Sequence, residues 1–302
     1  HNIRKIIMTE ENKIAETIPS LGSSAWLVDV GISVWTGRKL DKKASEEVES
    51  QNKANPNVAN VHKKLLGKCD ELVAVQKFVA NARNIHYSMT LPWSDMGMRL
   101  VTTQMFPKYH KQMTEFQQEF DNLVGKFIGV YDWAVINAQT LLGDLYNSAN
   151  YPHKNDLIHK FSWRMNYVPL PDAGDFRIDI GNEAQAQLQE SYKSYYATMF
   201  DKAKSDLSDR LVKPLKNMSE RLDYTDNEDK KVFRDTLVDN VMDILDLVKT
   251  FDHDTKLTAV CSQIENALMG VTPDALREDS TLRAETKKSI DDAIKSLPSL
   301  DF

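Results

Sequence analysis

Apolar residues recur at helical spacing over two long stretches of the chain. In the first stretch they advance by alternating steps of three and four from Phe106 to Val130, which is the heptad pattern of a coiled-coil seam. The pattern then slips by one residue and continues to Leu145, before Pro152 ends it. A helix over about 107–148 is expected, roughly 60 Å long at 1.5 Å per residue. The seam consists of Phe106, Tyr109, Met113, Phe116, Phe120, Leu123, Phe127 and Val130.

The second long helix is predicted over about 182–222, where the apolar steps are mostly of four residues. Pro214 lies inside it and predicts a kink near Arg210. In the C-terminal part, Thr272 followed by a proline predicts a helix N-cap. Shorter helical stretches are expected up to Pro19, over 41–87 with a break at 55–57, and over about 227–251, 255–269 and 273–297.

Four segments instead alternate apolar and polar residues, which is typical of strands with one buried face. Strands are expected at 26–35, 98–103, 162–169 and 176–180, and together they predict a small sheet. The expected fold is therefore mainly α: an elongated antiparallel hairpin of two long, coiled-coil-like helices, with a small β-sheet head and additional C-terminal helices.

We divide the chain into three parts. Residues 1–104 form the mixed N-terminal part of the head, and 105–225 form the helical hairpin with a strand insertion at about 162–180. Residues 226–302 form an acidic helical region. Of the whole chain's formal charge of −6, the first 200 residues contribute nothing, with 22 acidic and 22 Lys or Arg residues, against 22 and 16 after them.

This acidic balance makes direct binding to a nucleic-acid backbone unexpected. The chain also has no run of 18 apolar residues and no signal-peptide core at its start, so a soluble cytoplasmic protein without a constitutive membrane span is expected. Cys69 and Cys261 are the only cysteines and suit a reducing compartment, with one long-range disulfide as the alternative.

No motif of catalysis, nucleotide binding or metal binding is present. The seven histidines are interpreted as surface residues, and His153 and His159, six residues apart, lack a third metal ligand. Asp252 and Asp254 flank His253, which is a spacing that an acid–base pair could use, although Asp254 is better explained as a helix N-cap. We therefore predict no catalytic residue, no metal and no cofactor.

Four of the five tryptophans lie in or beside the predicted strands, where we interpret them first as core residues. If these segments also carry a recognition surface, the partner-binding candidates are Trp93, Arg99, Trp163 and Arg164, because tryptophan and arginine dominate interface hot spots.

The long helix contains a further pattern, Gly125 and Gly129 in the sequence GKFIG. Such spacing permits close helix approach in membranes, but Lys126 and Asp132 flank it, so a helix crossing in a soluble protein is the better interpretation. Each glycine costs roughly 1 kcal/mol relative to alanine unless another helix crosses there.

The stretch WLVDVGISVWTGRKLDKKASEE, followed by TLPWSDMGMRLVTT and a long helix, resembles an uncharacterised family of bacteriophages and integrative elements. Its members are often encoded beside a MoxR-like AAA+ ATPase and a von Willebrand factor A (VWA) protein. The resemblance implies a mobile-element setting in a bacterial host and an ATPase-associated role, and it supplies no site residues.

The function expected from these observations is a non-enzymatic interaction or scaffold protein. Its partners would be proteins, such as the AAA+ ATPase and the VWA protein, or a second copy bound through the long helices. The alternatives are a membrane-acting helical protein, for which 124–136 is the only suitable segment, and a phage virion or assembly component.

Overall fold

The computed structural model describes residues 25–95, 97–170, 182–224, 233–251 and 255–297. Within them the chain is mainly helical, with a small antiparallel sheet, as the sequence predicts. Three predictions lie outside the described residues: the helix ending near Pro19, the strand at 176–180 and the cap at Asp254. The helices are α1 (Lys42–Gln51), α2 (Asp70–Met89), α3 (Phe106–Leu142), α4 (Lys154–Ile158), α5 (Asn182–Leu222), α6 (Leu237–Phe251), α7 (Thr255–Leu268), α8 (Pro273–Glu278) and α9 (Ser280–Ser296).

Three of the predicted strands are confirmed. The strands are β1 (Ala25–Ser33), β2 (Arg38–Leu40), β3 (His62–Lys64), β4 (Leu91–Pro92), β5 (Arg99–Thr102) and β6 (Ser162–Pro169). A four-stranded sheet has the order β4-β5-β1-β6, and β1 pairs with β5 in an antiparallel register that places Trp26 opposite Val101. The alternating pattern predicted these strands because one face of the sheet is buried.

The helical prediction over 41–87 is wrong in its middle part. Only α1 and α2 are helical there, and between them β3 returns to pair with β2, with Leu40 opposite His62. These two strands have three residues each, and five of the six residues are charged or His, so they carry no alternating pattern. The loop from α1 to β3 is fixed by Glu49, which is buried and accepts hydrogen bonds from the amides of Val58 (2.9 Å) and Ala59 (3.0 Å).

Backbone contacts divide the chain into two compact units. We call them the central unit (29–88 and 109–166) and the C-terminal unit (1–28, 89–108 and 167–302). Neither is continuous in sequence, and the three-part division at 104 and 225 stays a prediction.

The core of the central unit forms where α2 and α3 bury their apolar faces together with the segment around α4. On α3 the buried positions follow the seam through Tyr109, Met113, Phe120 and Phe127, but the slip of one residue comes early, because Val124 is buried where Leu123 was expected. The aromatic members are close: the ring of Phe127 lies 5.9 Å from that of Tyr131 and 5.6 Å from that of Phe161.

In the C-terminal unit, four helices contact one another in a closed ring. Helix α5 packs against α6 and α9, and α7 packs against the same two helices. This is the contact pattern of a four-helix bundle, in which each helix buries one apolar stripe toward a common core. The stripe of α5 is as predicted from Ala203 onward, and consists of Ala203, Leu207, Leu211, Leu215, Met218 and Leu222.

The predicted helix over 273–297 is two helices. Thr272 caps α8 as expected, since its hydroxyl accepts from the amide of Ala275 (3.2 Å). Asp279 then interrupts the helix and caps α9, because its carboxylate accepts from the amides of Thr281 (2.8 Å) and Leu282 (3.0 Å). Helix α5 continues through Pro214, and the kink there stays a prediction. The same holds for the coiled-coil hairpin of the two long helices.

Candidate functional site

Two of the four predicted partner-binding residues, Trp93 and Arg99, lie in the C-terminal unit. The side chain of Trp93 is 3% exposed, and its ring lies 5.8 Å from that of Tyr196 on α5. Arg99 is half-buried and donates to the hydroxyl (2.7 Å) and the carbonyl (2.9 Å) of Thr90. Both residues thus help to hold the β4–β5 hairpin in place.

A second contact ties this hairpin to α5. Arg210 also donates to the carbonyl of Thr90 (3.1 Å), and Lys202 donates to Asp95 (2.7 Å). The hydrogen bond from Lys202 holds the pKa of Asp95 below its ordinary value. The surroundings of Trp93 and Arg99 are therefore those of a structural junction between hairpin and helix.

The other two candidates, Trp163 and Arg164, are neighbours on β6 in the central unit and point to opposite sides of the strand. The ring of Trp163 lies 5.6 Å from that of Phe120, and among the described residues its buried indole N–H has no hydrogen-bond acceptor. Arg164 is 59% exposed and pairs with Asp29 at 2.6 Å. The structure places the four candidates in two pairs, one in each unit, and their role in partner binding stays a prediction.

The described residues hold no group of three or more His, Cys, Asp or Glu side chains arranged for a metal ion. His153 accepts from the amide of Asn155 through its ring nitrogen Nδ1 and caps α4, which is a structural role. Cys69 and Cys261 are both buried and neither forms a disulfide, so the long-range disulfide is absent.

One histidine is not on the surface as expected. His86 on α2 is 5% exposed, and its Nδ1 lies 2.7 Å from the hydroxyl of Tyr109 on α3, which is fully buried. The pair joins the two helices inside the central unit. The sequence carries a signal for it, because His86 follows Leu72, Val75, Val79 and Ala82 along the buried face of α2.

Burial also shifts the pKa of a tyrosine on α3. The hydroxyl of Tyr131 donates to the carbonyl of Pro152 (2.8 Å), and burial raises the pKa of Tyr131 to about 12. This hydrogen bond fastens the C-terminal part of α3 to the segment before α4.

The clearest surface feature of the central unit is an exposed face of α3. Trp133 is 67% exposed and Ile136 is 70% exposed, whereas a helix of this kind normally turns such residues inward. A Cβ built on Gly125 or Gly129 would meet no atom of the described protein within 4 Å. These four positions lie on one side of the helix, and we call them the Gly129 face.

The sequence contains part of this signal, in the GKFIG spacing and in Trp133 as the one tryptophan of the long helix. It does not show that the face is uncovered, since that depends on where the other helices pack. Among the described residues, no helix is long and apolar enough to cross a membrane.

We compared the chain with family models, with curated proteins and with solved structures, and none of them matches.

Proposed function

We propose that this chain is a non-enzymatic scaffold protein that self-associates through the Gly129 face of α3. The observation that carries the proposal is the exposure of Trp133 and Ile136 beside two glycines with open space above them. Exposed large apolar side chains grouped on one face are typical of interaction sites.

The glycines favour a helix as the partner. A glycine in the middle of an exposed helix costs about 1 kcal/mol relative to alanine, and nothing in the described residues offsets this cost at Gly125 or Gly129. A second helix crossing there would offset it, because the missing side chains let two backbones approach closely.

Charge favours a second copy of the chain, crossing in the antiparallel direction. Lys126 and Asp132 lie three residues on either side of Gly129, and both are exposed. When two copies cross at Gly129 in opposite directions, the lysine of each copy lies at the level of the other's aspartate, whereas a parallel crossing would align like charges. Asp132 contacts Lys154 at 3.3 Å, yet its side chain remains 70% exposed and can accept a further donor.

The same antiparallel crossing also places a large side chain, that of Trp133, beside a glycine of the other copy. Trp133 and Gly125 each lie four residues from Gly129, so the indole of one copy would lie at the level of the other copy's Gly125. A twofold interface of this kind uses the same patch on both subunits and needs no other partner.

The test is Gly129→Leu, which blocks close approach while adding a good helix former. Sedimentation equilibrium should give a dimer for the wild type and a monomer for the variant, with an unchanged far-ultraviolet circular dichroism spectrum. Gln139→Leu is the matched control, because it adds the same exposed side chain about a quarter turn around the helix from Gly129 and ten positions further along it, and it should remain a dimer.

A wild-type protein that stays monomeric at high micromolar concentration would refute the second copy as the occupant. Loss of the dimer in both leucine variants would also refute it, since the effect would then not be specific to the face.

The resemblance in β1 and the following segments supplies the proposed setting, a phage or mobile element in the cytoplasm of a bacterial host. There the dimer would hold a MoxR-like AAA+ ATPase and a VWA protein, with the two long helices as its arms. Co-purification of the tagged chain with the products of neighbouring genes tests this part. A dimer that retains none of them would leave self-association intact and remove the ATPase-associated role.

A further inference from the structure

A small pocket lies in the central unit between the β2–β3 hairpin and the first turn of α2. Its volume is about 150 Å³. Three of the described residues that line it are cationic, Arg38, Lys64 and Lys68, and none of them is acidic. The other lining residues are Thr36, Gly37, Leu66, Gly67, Cys69, Leu72, Val73 and Gln76.

Two of the cationic residues face each other across the hairpin. Arg38 is directly opposite Lys64, and side chains so placed have Cβ atoms about 4.5–5.5 Å apart, where like charges repel. In the next pair of the ladder, Lys63 has a carboxylate partner, Asp41, at 3.0 Å. For Arg38 and Lys64 the described part of the chain supplies no such carboxylate.

The third cation, Lys68, lies 3.9 Å from Asp70, and both side chains are largely exposed. A contact of this length between exposed groups is weak, so it leaves the lysine able to bind elsewhere. The three cations that line the pocket outnumber the carboxylates of Asp70 and Glu71 beside it, although the net charge of the chain is −6. An anion would be drawn here by local charge and not by the protein as a whole.

The walls of the pocket are fixed before any ligand arrives. Gly37 and Gly67 adopt left-handed backbone angles, with φ of 63° and 57°, and the amide of Leu65 donates to the carbonyl of Gly37 (2.8 Å). Gln76 on α2 donates to the carbonyls of Trp35 (3.3 Å) and Thr36 (3.2 Å). The loop and the hairpin are thus attached to the helix by hydrogen bonds.

The inner part of the pocket is apolar. Leu66 and Leu72 are buried, and the buried thiol of Cys69 lies 3.6 Å from a carboxylate oxygen of Glu71. Burial, followed by the neighbouring Glu71, raises the pKa of Cys69, so the sulfur is an uncharged thiol that neither reacts readily nor cancels the positive charge at the mouth.

We propose that this pocket binds a small phosphate monoester, with the phosphate held by Arg38, Lys64 and Lys68 and the organic group against Leu66, Leu72 and Val73. Arginine and lysine are the usual partners of phosphate in proteins, and the binding would remove the repulsion across the hairpin. The site needs no second copy of the chain and is independent of the Gly129 face.

The test compares wild-type protein with Lys64→Glu and Lys43→Glu. Both variants reverse one exposed lysine, but Lys43 does not line the pocket and lies 4.0 Å from Glu47. The ligands are inorganic phosphate and phenyl phosphate, added at constant ionic strength, with sodium chloride as the blank. Binding is followed by the thermal unfolding midpoint and by the amide NMR shifts of Gly37 and Gly67.

In the wild type and in Lys43→Glu, phenyl phosphate should raise the unfolding midpoint, shift both glycine amides and bind more tightly than inorganic phosphate. Lys64→Glu should weaken binding on the order of tenfold or more, the loss expected for a hydrogen bond to a charged group. Without ligand it should be at least as stable as the wild type, because the repulsive pair becomes an attractive one.

Three results would overturn the proposal. One is a wild-type midpoint that responds to phosphate no more than to chloride, and another is full binding by Lys64→Glu. The third is equal affinity for phenyl phosphate and inorganic phosphate, which would exclude the apolar part of the site. If Lys64→Glu does not fold, Arg38→Gln removes the facing charge without reversing it, and retention of binding by that variant would equally refute the assignment.

Discussion

Replacing Gly129 by alanine should make the isolated chain more stable. Glycine in an exposed helix interior is less favourable than alanine by about 1 kcal/mol, because it loses more backbone freedom on folding. The new methyl group would meet no atom of the described residues within 4 Å, so no steric cost reduces this gain. A free energy of unfolding higher by about 1 kcal/mol corresponds to a midpoint higher by roughly 2 °C in a chain of 302 residues, the low end of the range for somewhat shorter chains.

The measurement is urea unfolding followed by circular dichroism, at a protein concentration low enough for the monomer to dominate. Gly143→Ala is the matched control, since Gly143 also has open space around it but has a φ of 51°. Alanine in that left-handed conformation costs roughly 1–2 kcal/mol, so the control should be less stable than the wild type.

Replacement by alanine should therefore raise the free energy of unfolding at Gly129 and lower it at Gly143. A lower free energy of unfolding for Gly129→Ala would mean that the face is covered in the folded monomer, and the scaffold proposal would lose its main support. Raising the protein concentration adds a second readout, because only a protein that dimerises through its native state gains stability with concentration.

Two further predictions concern the C-terminal unit. Asp279→Ala removes the carboxylate that accepts from the amides of Thr281 and Leu282, and should lower the free energy of unfolding by about 1 kcal/mol. Amide hydrogen exchange should become faster in the first turn of α9 and stay unchanged in α7. Unchanged exchange in α9 would show that the cap contributes nothing. The pKa of Asp291 is lowered by hydrogen bonds from Lys287 and Ser219, so its contribution is present above its unfolded value, near pH 4, and is lost as the pH falls through the lower folded value. Asp291→Asn should accordingly show a smaller loss of stability than the wild type on acidification below about pH 4, and parallel acid-unfolding curves would contradict the assignment.

Much of the secondary structure could be predicted from the order of apolar residues. Helices α3 and α5 and strands β1, β5 and β6 each carry a repeat of 3.6 or of two residues over enough positions to be recognised. The cap at Thr272 was also readable, because capping depends on residues that are close in sequence.

The β2–β3 hairpin was not predictable in this way. Its strands are three residues long, and their pairing depends on contacts made after the chain returns from α1, such as the ion pair between Lys63 and Asp41. The pocket proposed to bind phosphate was not predictable for the same reason. Arg38 and Lys64 are 26 positions apart and become neighbours only through the register of the hairpin.

For the candidate site too, the sequence shows the residue types, whereas their exposure and contacts depend on the tertiary structure. From the sequence, Trp93, Arg99, Trp163 and Arg164 were chosen by residue type, and residue type does not determine exposure: Trp93 is buried against Tyr196, whereas Trp133 on the long helix is exposed. His86 likewise became part of a core because α3 brings Tyr109 beside it.

By itself, the sequence determined the two long helices and strands β1, β5 and β6, that most of the chain is helical, and that Gly125 and Gly129 lie on one side of a long helix. These features follow from local periodicity. Only the tertiary structure decided which faces are covered, which charges stand opposite one another and where a pocket remains, because each of these depends on residues distant in sequence that packing brings together.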